Sequence, residues 1–192
     1  MILGITGGTG CGKTTLLKEI EARGGLVLDC DAVYHALLTR DEVLLGAIGN
    51  RFPGVVVEKK LERKKLGAIV FSDENALADL NAITHGAIRA EIVRRLAEKP
   101  RLAAIDAIAL FEGGLADLCD TTVAVCAPVE DRVRRLMQRD GISREYAQNR
   151  IKAQKSEEWF REMCAHTLCN DGTQDEFREK CREFLDELLS RI

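Results

Sequence analysis

The sequence predicts an α/β fold in three layers, a parallel sheet held between helices, extended by a helical substrate-binding insert and a helical lid. Short apolar runs recur at residues 2–6, 26–28, 102–110, 121–126 and 167–169. They are near-continuous rather than alternating, as strands buried on both faces are. Between them most apolar residues fall at helical spacing. A glycine-rich turn joins the first run to the first helix, and that strand–turn–helix order builds a phosphate site.

Met1-Ile2-Leu3-Gly4-Ile5-Thr6 is the first strand, and Gly7-Gly8-Thr9-Gly10-Cys11-Gly12-Lys13-Thr14-Thr15 follows at once. Gly7, Gly12, Lys13 and Thr14 fit the P-loop pattern, a Gly, four residues, then Gly-Lys-Ser/Thr. Glycines let the backbone turn its N–H groups inward as a nest for phosphate oxygens, where side chains would block the approach. The helix starting at about Gly12 adds the positive end of its dipole. Gly8, Gly10, Cys11, Gly12, Lys13, Thr14 and Thr15 are therefore the nucleotide-binding set. Lys13 reaches the β- and γ-phosphates, and the Thr14 hydroxyl is a ligand for Mg²⁺. Leu16, Leu17 and Ile20 continue at helical spacing behind the loop, which is the context that separates a P-loop from a chance match. The fold is read as a three-layer P-loop NTPase.

The chain has 192 residues, 46% hydrophobic and 31% charged, with a net charge of −3. That suits an ordinary globular protein with an ample core. The charge gives no sign of a nucleic-acid or membrane partner, and no apolar stretch approaches a membrane span. The N-terminus lacks a cationic leader with a cleavable apolar segment. Seven cysteines, an odd number without a C-x-x-C pair, argue against a disulfide framework or a zinc site and for reduced thiols in the cytoplasm.

Taken in order, Gly24-Gly25 closes the first helix as a left-handed cap. Leu26-Val27-Leu28 forms the second strand and ends in Asp29-Cys30-Asp31, at the strand edge where α/β folds place ligands. Asp31 is placed to orient or deprotonate an attacking hydroxyl, and Asp29 to tune the site or hold Mg²⁺ through water. The alternative for either is a helix cap. From Asp31 to about Pro100 the pattern is helical. Leu66, Ile69 and Val70 make one stripe; Leu77, Leu80 and Thr84 a second, with Ser72 as its N-cap; Ile88, Ile92, Val93 and Leu96 a third. Val55-Val56-Val57 reads as a short extended piece. A β-helix-β crossover needs about 30 residues, so this longer excursion reads as a substrate lobe. Arg63, in the basic cluster Lys59, Lys60, Arg63, Lys64, Lys65, suits bidentate contact with an anionic substrate; the rest form a solvated face. His85 is expected to end a helix before Gly86, where a structural cap is the simpler reading.

Leu102 to Leu110 reads as a central strand broken by Asp106, with Phe111-Glu112-Gly113-Gly114 at its carboxyl end. Glu112 is a substrate or Mg²⁺ contact, or else a turn carboxylate. Thr121–Cys126 is another strand, and Pro128 suits the first turn of the next helix. Arg132, Arg134, Arg135, Arg139, Arg144, Arg150, Lys152 and Lys155 then lie on two helices divided by Gly141. Such a hairpin makes a lid that offers guanidinium groups to a moving phosphoryl group, with Arg134 and Lys152 left to solvent. Thr167-Leu168-Cys169 is a last strand ending at the Asn170-Asp171-Gly172 turn. The final helix presents Phe177, Cys181, Phe184, Leu185, Leu188, Leu189 and Ile192 to the sheet. The expected division is a core of 1–30, 101–131 and 165–192, an insert of about 31–100 and a lid of about 132–164.

In this order the residues resemble the dephospho-CoA kinase family. Thr6 to Thr15 is similar to its P-loop, and Asp29-Cys30-Asp31 to its D-A-D segment, whose second Asp is the proposed base. Leu61-Glu62-Arg63-Lys64-Lys65-Leu66 with Val70-Phe71 resembles L-D-R-x-x-L and V-F. Leu80-Asn81-Ala82-Ile83-Thr84-His85 is similar to L-N-x-I-x-H. Arg135-Leu136-Met137-Gln138-Arg139-Asp140, then Ala147 through Arg150-Ile151 to Gln154, resembles the lid, and Asn170-Asp171-Gly172 the N-x-G near the adenine pocket. Gly86 replaces the family's usual Pro, and Ile108-Ala109-Leu110-Phe111-Glu112 its usual P-L-L-F-E.

The resemblance implies ATP and Mg²⁺ as cofactors, dephospho-CoA as the small-molecule substrate, and transfer of the γ-phosphate to its ribose 3′-hydroxyl. It implies Asp31, Lys13 and Arg139 as catalytic residues, Asn170 as a nucleotide contact, and Asp31, Arg63, His85 and Glu112 as substrate contacts. A monomer or weak oligomer is expected. Two alternatives stay open: another small-molecule kinase of nucleoside monophosphate or shikimate type, and a nucleotide-gated switch, for which the N-K-x-D stretch is missing.

Overall fold

The computed structural model describes residues 1–70 and 72–190, and the chain divides into two compact units. Phe71 and Ile192, named above in a motif and on a helix face, lie outside the described residues.

The first unit comprises Met1–Leu28, Pro100–Leu110 and Ala116 onward. Its sheet has five strands in the order β2-β5-β1-β6-β7: β1 (Ile2–Thr6), β2 (Leu26–Asp29), β5 (Ala103–Asp106), β6 (Thr121–Cys126) and β7 (His166–Cys169). β1 pairs in parallel with β5, Ile5 beside Asp106, and with β6, Thr6 beside Ala124. Strand alternation splits the core between two faces. Leu3, Ile5, Val123 and Val125 pack with Leu16 and Ile20 of α1 (Lys13–Ala22) and Phe177, Cys181 and Leu185 of α9 (Gln174–Leu189). Ala124 and Cys126 point the other way, onto Phe160 and Trp159 of α8 (Glu157–Met163). At Gly4 a Cβ would stand 2.8 Å from Cys119 Sγ and 2.9 Å from Leu110 Cδ2, so the close cover of β1 on this second face requires glycine.

Local chemistry sets the helix ends. Gly24, at φ 74°, follows α1, and the Gly24 and Gly25 N–H groups donate to the Glu21 and Ile20 carbonyls, a Schellman closure. Gly141, at φ 65°, ends α6 (Val129–Asp140), and Ser143 caps α7 (Arg144–Lys152). Thr173 and Glu176 form a capping box at the start of α9.

The second unit comprises Asp29–Lys99 and Phe111–Leu115. It holds α2 (Cys30–Arg40), α3 (Glu42–Arg51), a hairpin of β3 (Val56–Val57) and β4 (Lys60–Leu61), α4 (Arg63–Val70) and α5 (Glu74–Leu96). The hairpin turn, Glu58-Lys59, has both residues at positive φ, the backbone a two-residue turn needs to match strand twist. α5 packs against α2, α3 and α4. Leu37, Leu44, Ile48, Leu66, Val70 and Ile92 are among the core residues.

Four sequence expectations are corrected here. His85 does not end a helix: α5 runs unbroken through His85 and Gly86, so two predicted stripes belong to one helix. A mid-helix glycine costs only about 1 kcal/mol, and three neighbouring helices outweigh it. Asp73, not Ser72, caps α5, accepting from Asn75 and Ala76, while the Ser72 hydroxyl donates back to Ala68 and Ile69 carbonyls. The strand expected over 102–110 ends at Asp106, because the chain turns after it and Leu110 is buried as cover for β1. Pro128 is the N-cap residue of α6, one position before its first turn.

Candidate active site

The site of the first unit is built on the turn between β1 and α1. Gly7, Gly10 and Gly12 stand at φ 136°, 77° and 102°, the first and last well outside the left-handed basin near +57°. The Cys11 N–H donates to the Gly8 carbonyl at 3.2 Å, and the Thr15 N–H to the Gly12 carbonyl at 3.0 Å. Lys13 folds over the loop, its Nζ donating to the Gly7 carbonyl at 3.1 Å and standing 3.9 Å from Asp106 Oδ1. Thr14 is exposed at the first turn of α1, and Cys11 is buried beneath the loop. Burial raises the Cys11 thiol above its ordinary pKa, Lys13 partly opposing the shift. The thiol is thus kept neutral and acts as a packing residue.

Three consecutive loop carbonyls are held from outside. Arg132 Nε donates to Thr9 O at 2.9 Å; Arg135 Nη1 donates to Gly10 O at 3.2 Å and Cys11 O at 3.4 Å; Asn170 Nδ2 donates to Cys11 O at 2.9 Å. Asn170 is fixed in turn, its N–H donating to Cys126 O at 2.8 Å and its Oδ1 accepting from Arg135 at 3.1 Å. Arg132 and Asn170 are 5% and 6% exposed. A peptide whose carbonyl is drawn outward turns its N–H groups toward the loop interior, so this bracket pre-forms the anion nest. The close approach also explains two glycines: a Cβ on Gly8 would collide with the Arg132 guanidinium, and one on Gly12 with the Asn170 amide.

Arg139 is placed differently. It is exposed at the end of α6, with Nε 2.6 Å from Asp140 Oδ1, and Arg150 Nη1 meets the other carboxylate oxygen at 2.6 Å. These two guanidinium groups hold the Asp140 carboxyl at about 2.

The other predicted site residues lie in the second unit. Asp29 accepts from the Ala32 N–H at 3.0 Å as the N-cap of α2, and Asp31 is exposed in that helix's first turn. Arg63 opens α4 with Nη2 3.4 Å from His35 Nδ1. His35 is one turn beyond Asp31 and exposed like it, so the two share a face of α2. Burial raises the Tyr34 hydroxyl pKa, and the Arg63 charge partly opposes this. His85 is half-buried in mid-α5, and Glu112 is exposed in the 111–115 turn, where Arg89 donates to Gly114 O. α2, α3 and α5 also leave a groove of about 480 Å³ lined by Leu37, Leu44, Ala47, Ile83 and Ala87, with Gly86 at its wall.

Sequence reading passed over Asp106 and Gln154 as site residues. Asp106 was visible as the one charge in an apolar run, and its place at a strand's carboxyl end was the signal. Gln154 stood only at the end of the segment resembling the lid, and nothing local tied it to the phosphate loop, since its contact with Thr9 spans 145 residues.

A family model for dephospho-CoA kinase matches residues 1–176. A dephospho-CoA kinase of Corynebacterium diphtheriae is 35% identical, the match covering 100% of this chain and 98% of the relative. A solved Thermus thermophilus protein superposes with a TM-score of 0.82 at 35% identity, over 98% of this chain and 97% of its own. A solved dephospho-CoA kinase from Campylobacter jejuni gives a TM-score of 0.69 at 25% identity, over 97% and 96%. With the P-loop geometry described above and a family match over most of its length, the chain belongs to the dephospho-CoA kinase family.

Proposed function

We infer that this protein transfers the γ-phosphoryl group of ATP to the 3′-hydroxyl of the ribose of dephospho-CoA, giving coenzyme A and ADP. The observation that carries the reading is the family match over residues 1–176. The loop amides cradle the β- and γ-phosphates, and Lys13 neutralises the charge that builds on them. The hydroxyl of Thr14 and the carboxylate of Asp106 are hard oxygen donors suited to Mg²⁺, which takes few protein ligands and binds the rest of its shell from water and phosphate. When bound, that ion screens phosphate charge. Asp31 orients or deprotonates the acceptor hydroxyl, and Arg63, His85 and Glu112 contact the acceptor. Residues 31–100 serve as the acceptor lobe and 132–164 as a lid. Arg139 exchanges Asp140 for phosphate as that lid closes, whereas the carbonyl contacts of Arg132 and Arg135 support a scaffold role. Asn170 contacts the nucleotide through the loop that it braces. The protein works in the cytoplasm, as a monomer or weak oligomer, without a nucleic-acid or membrane partner. Among the described residues no helix is long and apolar enough to cross a membrane.

The test is ADP release with Mg-ATP, offering dephospho-CoA beside AMP, CMP, adenosine and shikimate. Turnover with dephospho-CoA alone is expected. Turnover with another acceptor keeps the kinase core and reassigns the second unit.

A further inference from the structure

One residue of the phosphate loop is held at both ends of its backbone. Arg132 Nε donates to the Thr9 carbonyl at 2.9 Å, and the Thr9 N–H donates to Gln154 Oε1 at 2.8 Å. Arg132 Nη2 reaches the same Gln154 oxygen at 3.5 Å. The three residues close a ring: Arg132 to Thr9 O, Thr9 N–H to Gln154, Arg132 to Gln154. Gln154 is half-buried in the short linker between α7 and α8, with its own N–H donating to Ile151 O. Thr9 precedes Gly10, which needs φ 77°. A loop with this much glycine has many conformations to lose on ordering, so fixing both backbone polar groups of Thr9, and with them the two peptides that flank it, selects the phosphate-ready form.

We propose that Gln154 is a positioning residue for the nucleotide, holding the Thr9 backbone through its side-chain oxygen. The inference rests on the nucleotide-binding reading of the loop. The Arg132 guanidinium, acting as donor, sets the orientation of the Gln154 amide: only its oxygen suits a site facing both a guanidinium N–H and a backbone N–H, since the flipped –NH₂ would meet two donors. Gln154 touches no reacting atom. It acts through the shape of the loop and contributes to ground state and transition state alike. Such uniform binding changes KM and not kcat.

The experiment is calorimetric titration of the full chain with ADP and with ATP, for wild type, Gln154→Met and Gln154→Ala, beside steady-state kinetics. Met keeps the volume of the side chain and removes the acceptor oxygen. Both variants are expected to weaken ADP and ATP equally, by about tenfold, the worth of one part-buried hydrogen bond. KM for ATP should rise in step while kcat at saturating ATP stays within about twofold, as uniform binding requires. Unchanged affinity in both variants overturns the proposal. Tighter binding also overturns it, because Gln154 would then compete with phosphate for the Thr9 N–H. Lost kcat at saturation overturns it by placing Gln154 at the chemistry. Wild-type protein that fails to bind ADP refutes the underlying nucleotide reading instead, so the two failures are separable.

Discussion

Gly12→Ala tests the bracket around the phosphate loop. Gly12 stands at φ 102°, ψ 22°, where an L-residue pays backbone strain of about 1–3 kcal/mol. Its new methyl would strike the Asn170 amide, and that side chain has no easy retreat. The Asn170 backbone is bonded to Cys126 O, its Nδ2 to Cys11 O, and its Oδ1 to Arg135. Displacing it leaves a buried hydrogen bond broken, which costs about 1–3 kcal/mol more. Gly12→Ala should therefore destabilise by about 4 kcal/mol, and Asn170→Ala, which loses two side-chain hydrogen bonds, by about 2–3 kcal/mol. The double variant should lose only about 4–5 kcal/mol, less than the sum, because the clash and the broken bond are then counted once. Trp159, the only tryptophan in the sequence, packs against β6 in the same unit and reports urea unfolding, with the slope of the transition checked for constancy. Additivity within about 0.5 kcal/mol would refute the reasoning, since Gly12 and Asn170 would not then share a constraint.

Lys13→Ala should lower turnover by about 10²-fold or more, as removal of a transition-state charge contact does, with the urea midpoint little changed; near-normal turnover would remove Lys13 from the chemistry. Asp31→Asn should lower kcat by about 10²–10⁴-fold, the range for a general base, and rate retained within tenfold would reassign Asp31 to the capping and surface chemistry of α2. Glu91, 10% exposed and hydrogen-bonded to Arg94 and Arg95 with Arg40 at 3.2 Å, is held at about 2, below its ordinary 4.5. Since the folded pKa is the lower one, its stabilisation is present above pH 4.5 and is lost as pH falls toward 2. Glu91→Gln should thus be less stable at pH 7 and show a flatter acid limb between pH 4.5 and 2; an unchanged limb would refute the assignment.

Short-range chemistry made several features legible from the chain alone. The β1–loop–α1 unit follows from an apolar run, fixed glycine spacing and helical periodicity within about twenty residues. The ends of α1 and α6 follow from Gly24 and Gly141, because capping satisfies orphaned groups within one turn. The alternation of strands and helices implied a layered parallel sheet, and the ordered motifs implied the family.

Tertiary structure decided the rest, for a physical reason: the determinants are contacts between residues far apart in sequence. α5 continues through Gly86 because α2, α3 and α4 cover it, and local propensity gives way to packing. Asp106 becomes a partner of Lys13 only when β5 pairs beside β1. Arg132, Arg135, Gln154 and Asn170 read locally as lid charges or turn polars, yet each meets the phosphate loop across 123 to 159 residues. Spacing in the chain specifies a nest of glycines, and only the folded sheet brings the donors that hold its carbonyls outward.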